Sequence, residues 1–286
     1  MNETEVERQY EEYTTLSAAH LHYQDLWARV SSEWQESRSG CQVWLTYAAN
    51  YLLNCDGFKF ALDPFSMGSR VPGIQPVDYL NDLHSLSLVL LSHEHNDHLD
   101  RELIKTLHQA EVTWIIPSHL QAFLRDAASL PNARILTPQP GQRLTVGPLT
   151  IIPFDSLHLN GQNGVSETGY LLECRGKRWL FPGDIRNYDS TRLPDFGPLN
   201  VVFAHLWLGK GGALEDPPPL LNEFCDFFAH FDADRVVVSH LYEFGRDERD
   251  LWTESHYLQV KEGILKRKPA MKVDLALMGT RIDLYC

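Results

Sequence analysis

The chain has 286 residues, 43% of them hydrophobic, and a formal charge of −13. That length buries a sizeable core in one large domain or two small ones, and the acidic balance disfavours binding along a nucleic-acid backbone. No apolar run is long enough to span a membrane, and the N-terminus Met1-Asn2-Glu3-Thr4-Glu5 is acidic, unlike a signal peptide.

Residues 1 to about 37 read as helix, because Tyr10, Tyr13, Tyr23, Leu26, Trp27, Val30 and Trp34 form a partial helical stripe uninterrupted by proline. Such a helix either packs on the domain surface or serves as a lid or dimer contact. Short aromatic and aliphatic runs at 43–47, 50–53 and 58–62 read as strands, with Asp56-Gly57 as a hairpin turn between the last two. Asp63-Pro64 ends the third strand. Residues 65–83, rich in Gly, Pro, Ser and Asp, form a loop in which Arg70 reads as a solvated arginine, with contact to an anionic substrate as the alternative.

The apolar run Leu86 to Leu91 predicts a buried strand ending at His93, and Arg101 to Gln109 predicts a helix with Asp100 as N-cap. Between them lie His93, His95, Asp97 and His98, three imidazoles and a carboxylate within six positions. Imidazole and carboxylate are ligands for zinc-like ions. Alternate residues of an extended segment point the same way, so His93 and His95 can face one ion, while Asp97 and His98 can face a second.

Further along, 112–116 reads as a buried strand, and Ser118 as the cap of a helix running to about Ala127, with His119 structural. A short strand at 135–136 precedes a hairpin, 142–146 and 149–153, around Gly147-Pro148. A second hairpin, 168–173 and 178–181, turns at Gly176. Three later apolar runs end in a polar residue with metal-ligating or acid–base chemistry: His158 follows one, Gly183-Asp184 another, and His240 closes the strand from Asp234. Val201 to Ala204 ends at His205, which can line a pocket. Lys210-Gly211-Gly212 can hold an anion through its backbone N–H groups and ammonium. Helices are expected over 220–231 and 254–266, and closing strands over 272–277 and 282–285. Glu243, Arg246 and His256 lie in a polar segment within reach of a substrate. The five cysteines, Cys41, Cys55, Cys174, Cys225 and Cys286, are widely spaced without a Cys-x-x-Cys pair, so buried or free thiols in a reducing cytoplasm are expected.

His93-x-His95-x-Asp97-His98, after a strand and before a helix, resembles the signature of the metallo-β-lactamase-fold superfamily. Ser92 to Asp100 is similar to the branch that includes ascorbate-6-phosphate lactonases and the N-acylphosphatidylethanolamine phospholipase D type. The resemblance covers residues 42 to 265. It implies an α/β, four-layer αββα sandwich over 41–286, preceded by a helical extension over 1–40. It also implies two divalent ions, zinc with manganese or iron as alternatives, held by His93, His95 and His158 and by Asp97, His98, Asp184 and His240. Asp63 would orient a ligand histidine, although a plain turn-initiating Asp-Pro stays open. Asp97 would also accept or relay a proton, and His205 and Lys210 are candidate substrate contacts.

Three departures from the family pattern are visible, one of them His205, where the lactonase-like branch more often holds a proline. Leu159-Asn160-Gly161 follows His158 where lactamases and glyoxalase hydrolases usually read Thr-x-Gly, and Ile185 stands where the branch has Thr. The implied activity is metal-assisted hydrolysis of an ester-like small molecule such as a lactone, by a metal-activated water. A phosphodiester is the alternative, and a di-iron redox protein a further one. A homo-oligomer is compatible with all three.

Overall fold

The computed structural model describes residues 14–125, 134–161 and 163–284. Alternate side chains of its early strands enter two different apolar environments. Val43, Leu45, Leu53, Phe60, Leu62, Leu88 and Leu90 enter one cluster with Leu149, Ile151, Tyr170, Leu172, Trp179, Phe181, Val201 and Phe203. Their neighbours Trp44, Leu52, Ala61, Val89 and Trp114 enter another, built with helical residues. Strands this apolar on both faces must be covered on both faces, which requires two packed sheets with helices outside.

Two seven-stranded sheets meet that demand. In chain order the strands are β1 (Cys41–Leu45), β2 (Tyr51–Cys55), β3 (Phe58–Leu62), β4 (Leu88–Leu90), β5 (Thr113–Ile115), β6 (Ile135–Leu136), β7 (Leu144–Val146), β8 (Leu149–Asp155), β9 (Thr168–Cys174), β10 (Lys177–Phe181), β11 (Leu199–His205), β12 (Ala233–Ser239), β13 (Lys272–Leu275) and β14 (Arg281–Asp283). The first sheet runs β14-β1-β2-β3-β4-β5-β6 and the second β13-β12-β11-β10-β9-β8-β7. β14 thus returns from the C-terminal half to close the N-terminal sheet against β1. The expected αββα sandwich is the architecture found.

The four longer helices are α1 (Leu16–Glu36), α2 (Arg101–Leu107), α3 (Leu221–His230) and α4 (Glu254–Arg267). Thr15 caps α1 by accepting from the Ala18 N–H at 3.1 Å. Its stripe of Ala19, Tyr23, Leu26, Trp27, Val30 and Trp34 is buried in the outer cluster of the first sheet, and each large side chain so buried stabilises the fold by roughly 1.5–3 kcal/mol. Trp34 Nε1 donates to the Leu53 carbonyl at 2.9 Å, so the helix is bonded to β2 as well as packed on it. Tyr10 and Tyr13 of the expected stripe lie outside the described residues. The helices α3 and α4 cover the second sheet through Phe224, Phe227, Phe228, Tyr257, Val260 and Ile264.

Two expectations are corrected. Ser118 caps no long helix: it opens a single 3₁₀ turn after Pro117 with no side-chain cap bond, and Gln121–Arg125 continues as one turn and a half of α-helix. The expected extension to Ala127 lies outside the described residues. Nor are Cys41 and Cys55 free thiols. The antiparallel β1–β2 register sets them directly opposite each other, and they form a disulfide beside Cys174 of the facing sheet. Cys225 is a buried thiol, as expected, and Cys286 lies outside the described residues.

Candidate metal centre

β3 and β4 are parallel neighbours, so the residues that follow them lie side by side. Asp63, just past β3, adopts a left-handed backbone (φ 46°) and turns its carboxylate onto the loop that follows β4. That carboxylate accepts from the Ser92 N–H and from His98 Nδ1, each at 2.8 Å, and from the Ser92 hydroxyl. Asn50, at the entry to β2, completes the anchor: its amide donates to the Asp63 carbonyl at 2.9 Å and to the Asp97 carbonyl at 2.8 Å. Asp100 caps α2 by accepting from the Leu103 N–H at 2.9 Å. The loop from 92 to 100 is therefore fixed at both ends, with His93, Asp97 and His98 buried.

The second sheet contributes one residue per strand end. His158 follows β8, Asp184 follows β10, His205 ends β11 and His240 follows β12. Glu167, immediately before β9, ties several of these together. It lies 2.9 Å from His93 Nδ1, accepts from the Asp184 N–H at 3.0 and 3.1 Å, and accepts from the Ser156 hydroxyl at 2.8 Å. This close approach explains Gly183, where φ is +87° and a Cβ would lie 2.4 Å from the Glu167 carboxyl carbon. His205 Nδ1 meets Asp184 Oδ1 at 2.7 Å, His205 Nε2 meets the Tyr51 hydroxyl at 2.9 Å, and that hydroxyl meets Ser239 Oγ at 2.7 Å. His240 adopts φ 70° and its N–H donates to the Ala48 carbonyl at 2.8 Å.

These elements bring together two groups of donor atoms, the atoms within each lying within 4.8 Å of one another: His93, His95 and His158, and Asp97, His98, Asp184 and His240. Their electrostatics differ. Burial lowers the pKa of each imidazole in the first group, moving His158 from 6.5 to about 4. Neutral imidazoles offer lone pairs to a cation. In the second group burial opposes charge, yet the carboxylates win: Asp184, aided by Asp63 and Asp97, raises His98, and Asp184 with Asp97 and Glu243 raises His240. Against the same burial, His240 and His98 hold Asp97 and Asp184 below the usual carboxylate range.

The donor set fits a metal on structural grounds. His93 Nε2, His98 Nε2 and His240 Nδ1 are buried without a hydrogen-bond partner among the described residues, and a buried polar atom left unpaired costs about 1–3 kcal/mol. A cation in each group, one meeting His93 Nε2 and the other His98 Nε2, would remove that cost at those two atoms.

A cleft of about 620 Å³ opens over the site, lined in part by His95, Asp97, Arg70, Arg186, Trp207 and Lys210. Several sequence expectations change here. Arg70 is no solvated loop arginine; it reaches Asn96 Oδ1 at 2.7 Å and lies 3.6 Å from Glu243 and 3.9 Å from Asp97. His205 is not on this lining but on that of a smaller neighbouring pocket that shares Arg186, Trp207, Glu243 and Arg246 with it, and both its ring nitrogens are engaged, one of them on Asp184. The N–H of Gly211, expected to meet an anion, donates to Asp250 Oδ1 at 2.6 Å, and that of Gly212 to the Gly209 carbonyl. Of that motif, Lys210 alone is on the cleft lining. Arg246 also lines it, bonded to Glu243. His256 lies away from the cleft lining, its Nε2 against the Ala213 carbonyl. Glu167, Asn50 and Tyr51 were not legible as site residues.

Two helix-flanked sheets with buried His/Asp clusters at their strand ends define a metal-dependent hydrolase of four-layer architecture. Residues 60–241 match the family described as the Beta-lactamase superfamily domain. The chain belongs to this superfamily, the metallo-β-lactamase fold. It is 26% identical over 164 residues to the N-acyl-phosphatidylethanolamine-hydrolyzing phospholipase D 1 of Caenorhabditis elegans, a match covering 50% of this chain and 46% of that protein. The chain thus spans about half the length of this curated relative. Among solved structures it is similar to Igni18, a metallo hydrolase of Ignicoccus hospitalis (TM-score 0.63, 15% identity, 85% of this chain and 97% of that one). It is also similar to CmlA, a diiron beta-hydroxylase of Streptomyces venezuelae (TM-score 0.62, 17% identity, 87% of this chain and 55% of that one). At those identities the likeness concerns the fold.

Proposed function

We propose that the chain is a binuclear hydrolase of an ester-like bond. One divalent ion would be held by His93, His95 and His158, and a second by Asp97, His98, Asp184 and His240. The observation that carries this reading is the pairing of a three-imidazole cluster with a four-residue cluster that contains two carboxylates, each cluster holding at least one buried ring nitrogen without a hydrogen-bond partner among the described residues. When bound, such ions supply Lewis acidity and lower the pKa of a coordinated water.

The protein's own groups do the rest. Asp184 brings negative charge between the clusters, held by His205 on its carboxylate and by Glu167 on its N–H. Asp97, ionised and buried at the cleft lining, can orient a water and take up its proton. Asp63 and Glu167 fix the rings of His98 and His93. Zinc is the expected metal, with manganese or iron as alternatives for the same donors. We take residues 41–286 as the catalytic domain, with the helical extension before it.

A lactone or other carboxylic ester is the first substrate reading. A phosphodiester is the second, favoured by the similarity to a relative that hydrolyses a phospholipid. The test is elemental analysis of purified protein together with a panel of lactone, thioester and bis(p-nitrophenyl) phosphate substrates. We expect about two metal ions per chain and turnover of at least one ester class. His95→Ala and Asp184→Ala each lower turnover by about a thousandfold or more. Full metal content and activity in both variants would overturn the assignment. Two irons with oxygen consumption and no hydrolysis would instead support the redox alternative.

A further inference from the structure

The four cations of the cleft, Arg70, Arg186, Lys210 and Arg246, fall into two pairs by the company they keep. Arg70 and Arg246 are neutralised: both reach Glu243 and Asp97. Arg186 and Lys210 have no carboxylate partner among the described residues. The guanidinium of Arg186 instead lies over the Trp207 ring, 5.4 Å from its centre. That platform is built in advance, because the hydroxyl of the partly buried Tyr188 donates to the Trp207 carbonyl. In a chain of net charge −13, which has carboxylates to spare, two unneutralised cations lining one cleft call for an anion from outside.

We propose that Arg186, stacked on Trp207, and Lys210 form an anion-binding wall that selects substrates carrying a phosphate or carboxylate group next to the ester that is broken. The inference rests on the hydrolase reading above and deepens it. A guanidinium presents paired N–H donors that match two oxygens of either anion, and stacking on indole limits its rotational freedom before the ligand arrives. The ammonium of Lys210 is a compact charge on a flexible stem and adds attraction without fixing orientation. Arg186 therefore carries more of the selectivity than Lys210. Asn160 and Asn163, on the same cleft lining, offer amide donors to the same oxygens.

The test uses the full metal-loaded chain and has a binding arm and a turnover arm. By calorimetry, phenyl phosphate and benzoate are titrated into wild type, into Arg186→Gln/Lys210→Gln, and into Lys266→Gln. The last removes an exposed positive charge on α4, far in sequence from the cleft lining. We expect the double variant to weaken at least one anion about tenfold or more, and Lys266→Gln to leave affinity within about twofold. Whichever anion loses more identifies phosphoryl or carboxylate as the recognised group. Unchanged affinity for both would overturn the wall.

In the turnover arm, mono-p-nitrophenyl succinate is compared with its neutral methyl ester. Wild type should favour the anionic ester by about tenfold in KM, and the double variant should erase that ratio. Equal KM values in wild type also overturn the proposal. Metal-loaded protein that binds the anions through Arg186 and Lys210 yet hydrolyses no ester leaves the wall standing and removes the hydrolase reading.

Discussion

The two halves of the sandwich build the same centre in opposite ways. The N-terminal half supplies four donors from a single loop, 93 to 98, and gathers three of that loop's bonds on one carboxylate, Asp63, with Asn50 and Asp100 beside it. The C-terminal half supplies His158, Asp184 and His240 from three separate strand ends, each with its own support: Gly164 packed against His158, Glu167 and His205 around Asp184, and Ala48 behind His240. A concentrated arrangement depends on its anchor, whereas a distributed one loses little when a single support goes.

Asp63→Ala puts that contrast to its hardest test. It leaves the Ser92 N–H, the Ser92 hydroxyl and His98 Nδ1 without their acceptor in a buried setting, and should destabilise the protein by about 3 kcal/mol or more. Urea unfolding at constant slope measures this, and metal content should fall with it. A loss below about 1 kcal/mol would mean that the loop does not depend on Asp63.

The next effect is a pH dependence of the metal-free chain. His158 has its folded pKa lowered by burial from 6.5 to about 4, and His93 and His95 are lowered in the same direction. Between those values the unfolded state binds more protons than the folded one, so stability falls as pH drops from 6.5 toward 4. His98 and His240 are shifted upward, so their contribution is complete below 6.5 and adds no slope in that window. The measurement is the urea midpoint against pH, where His158→Gln should flatten the decline. An equally steep decline in the variant would exclude His158 as its source.

The smallest effect belongs to the distributed half. Tyr51→Phe removes one hydroxyl from the chain His205, Tyr51 and Ser239, and should cost about 1 kcal/mol, with Asp184 still held by Glu167. A loss as large as that of Asp63→Ala would erase the distinction between the halves.

The same contrast explains what could be read from the chain. Four donors inside six residues, with an apolar strand before and a capped helix after, are visible as a cluster without any structure. His158, Asp184 and His240 are single polar residues after apolar runs, and their roles came from their order along a recognised pattern. Glu167 and Asn50 carry no local mark: their side-chain partners lie 11 to 74 residues away, and only the tertiary fold makes a buried carboxylate before β9 a neighbour of Gly183. Tyr51 sits inside an apolar strand, where its ring accounts for its presence and its hydroxyl goes unnoticed. Arg70 reads as solvated for a related reason, since a loop rich in glycine and proline gives no hint that it folds back onto Asn96. Cys41 and Cys55 show the converse. Their spacing looked unremarkable until strand register made them direct partners.

Tyr51 reaches from the middle of the first sheet, edge-on against the stacked rings of Phe181 and Phe203 of the second, to touch the ring that steadies Asp184. The interior of the sandwich and its reactive end are consequently not independent. Repacking around those two phenylalanines would tilt a phenol, and through it an imidazole and a carboxylate. In this protein an apolar substitution far from solvent should therefore reveal itself as altered chemistry before it reveals itself as a looser fold.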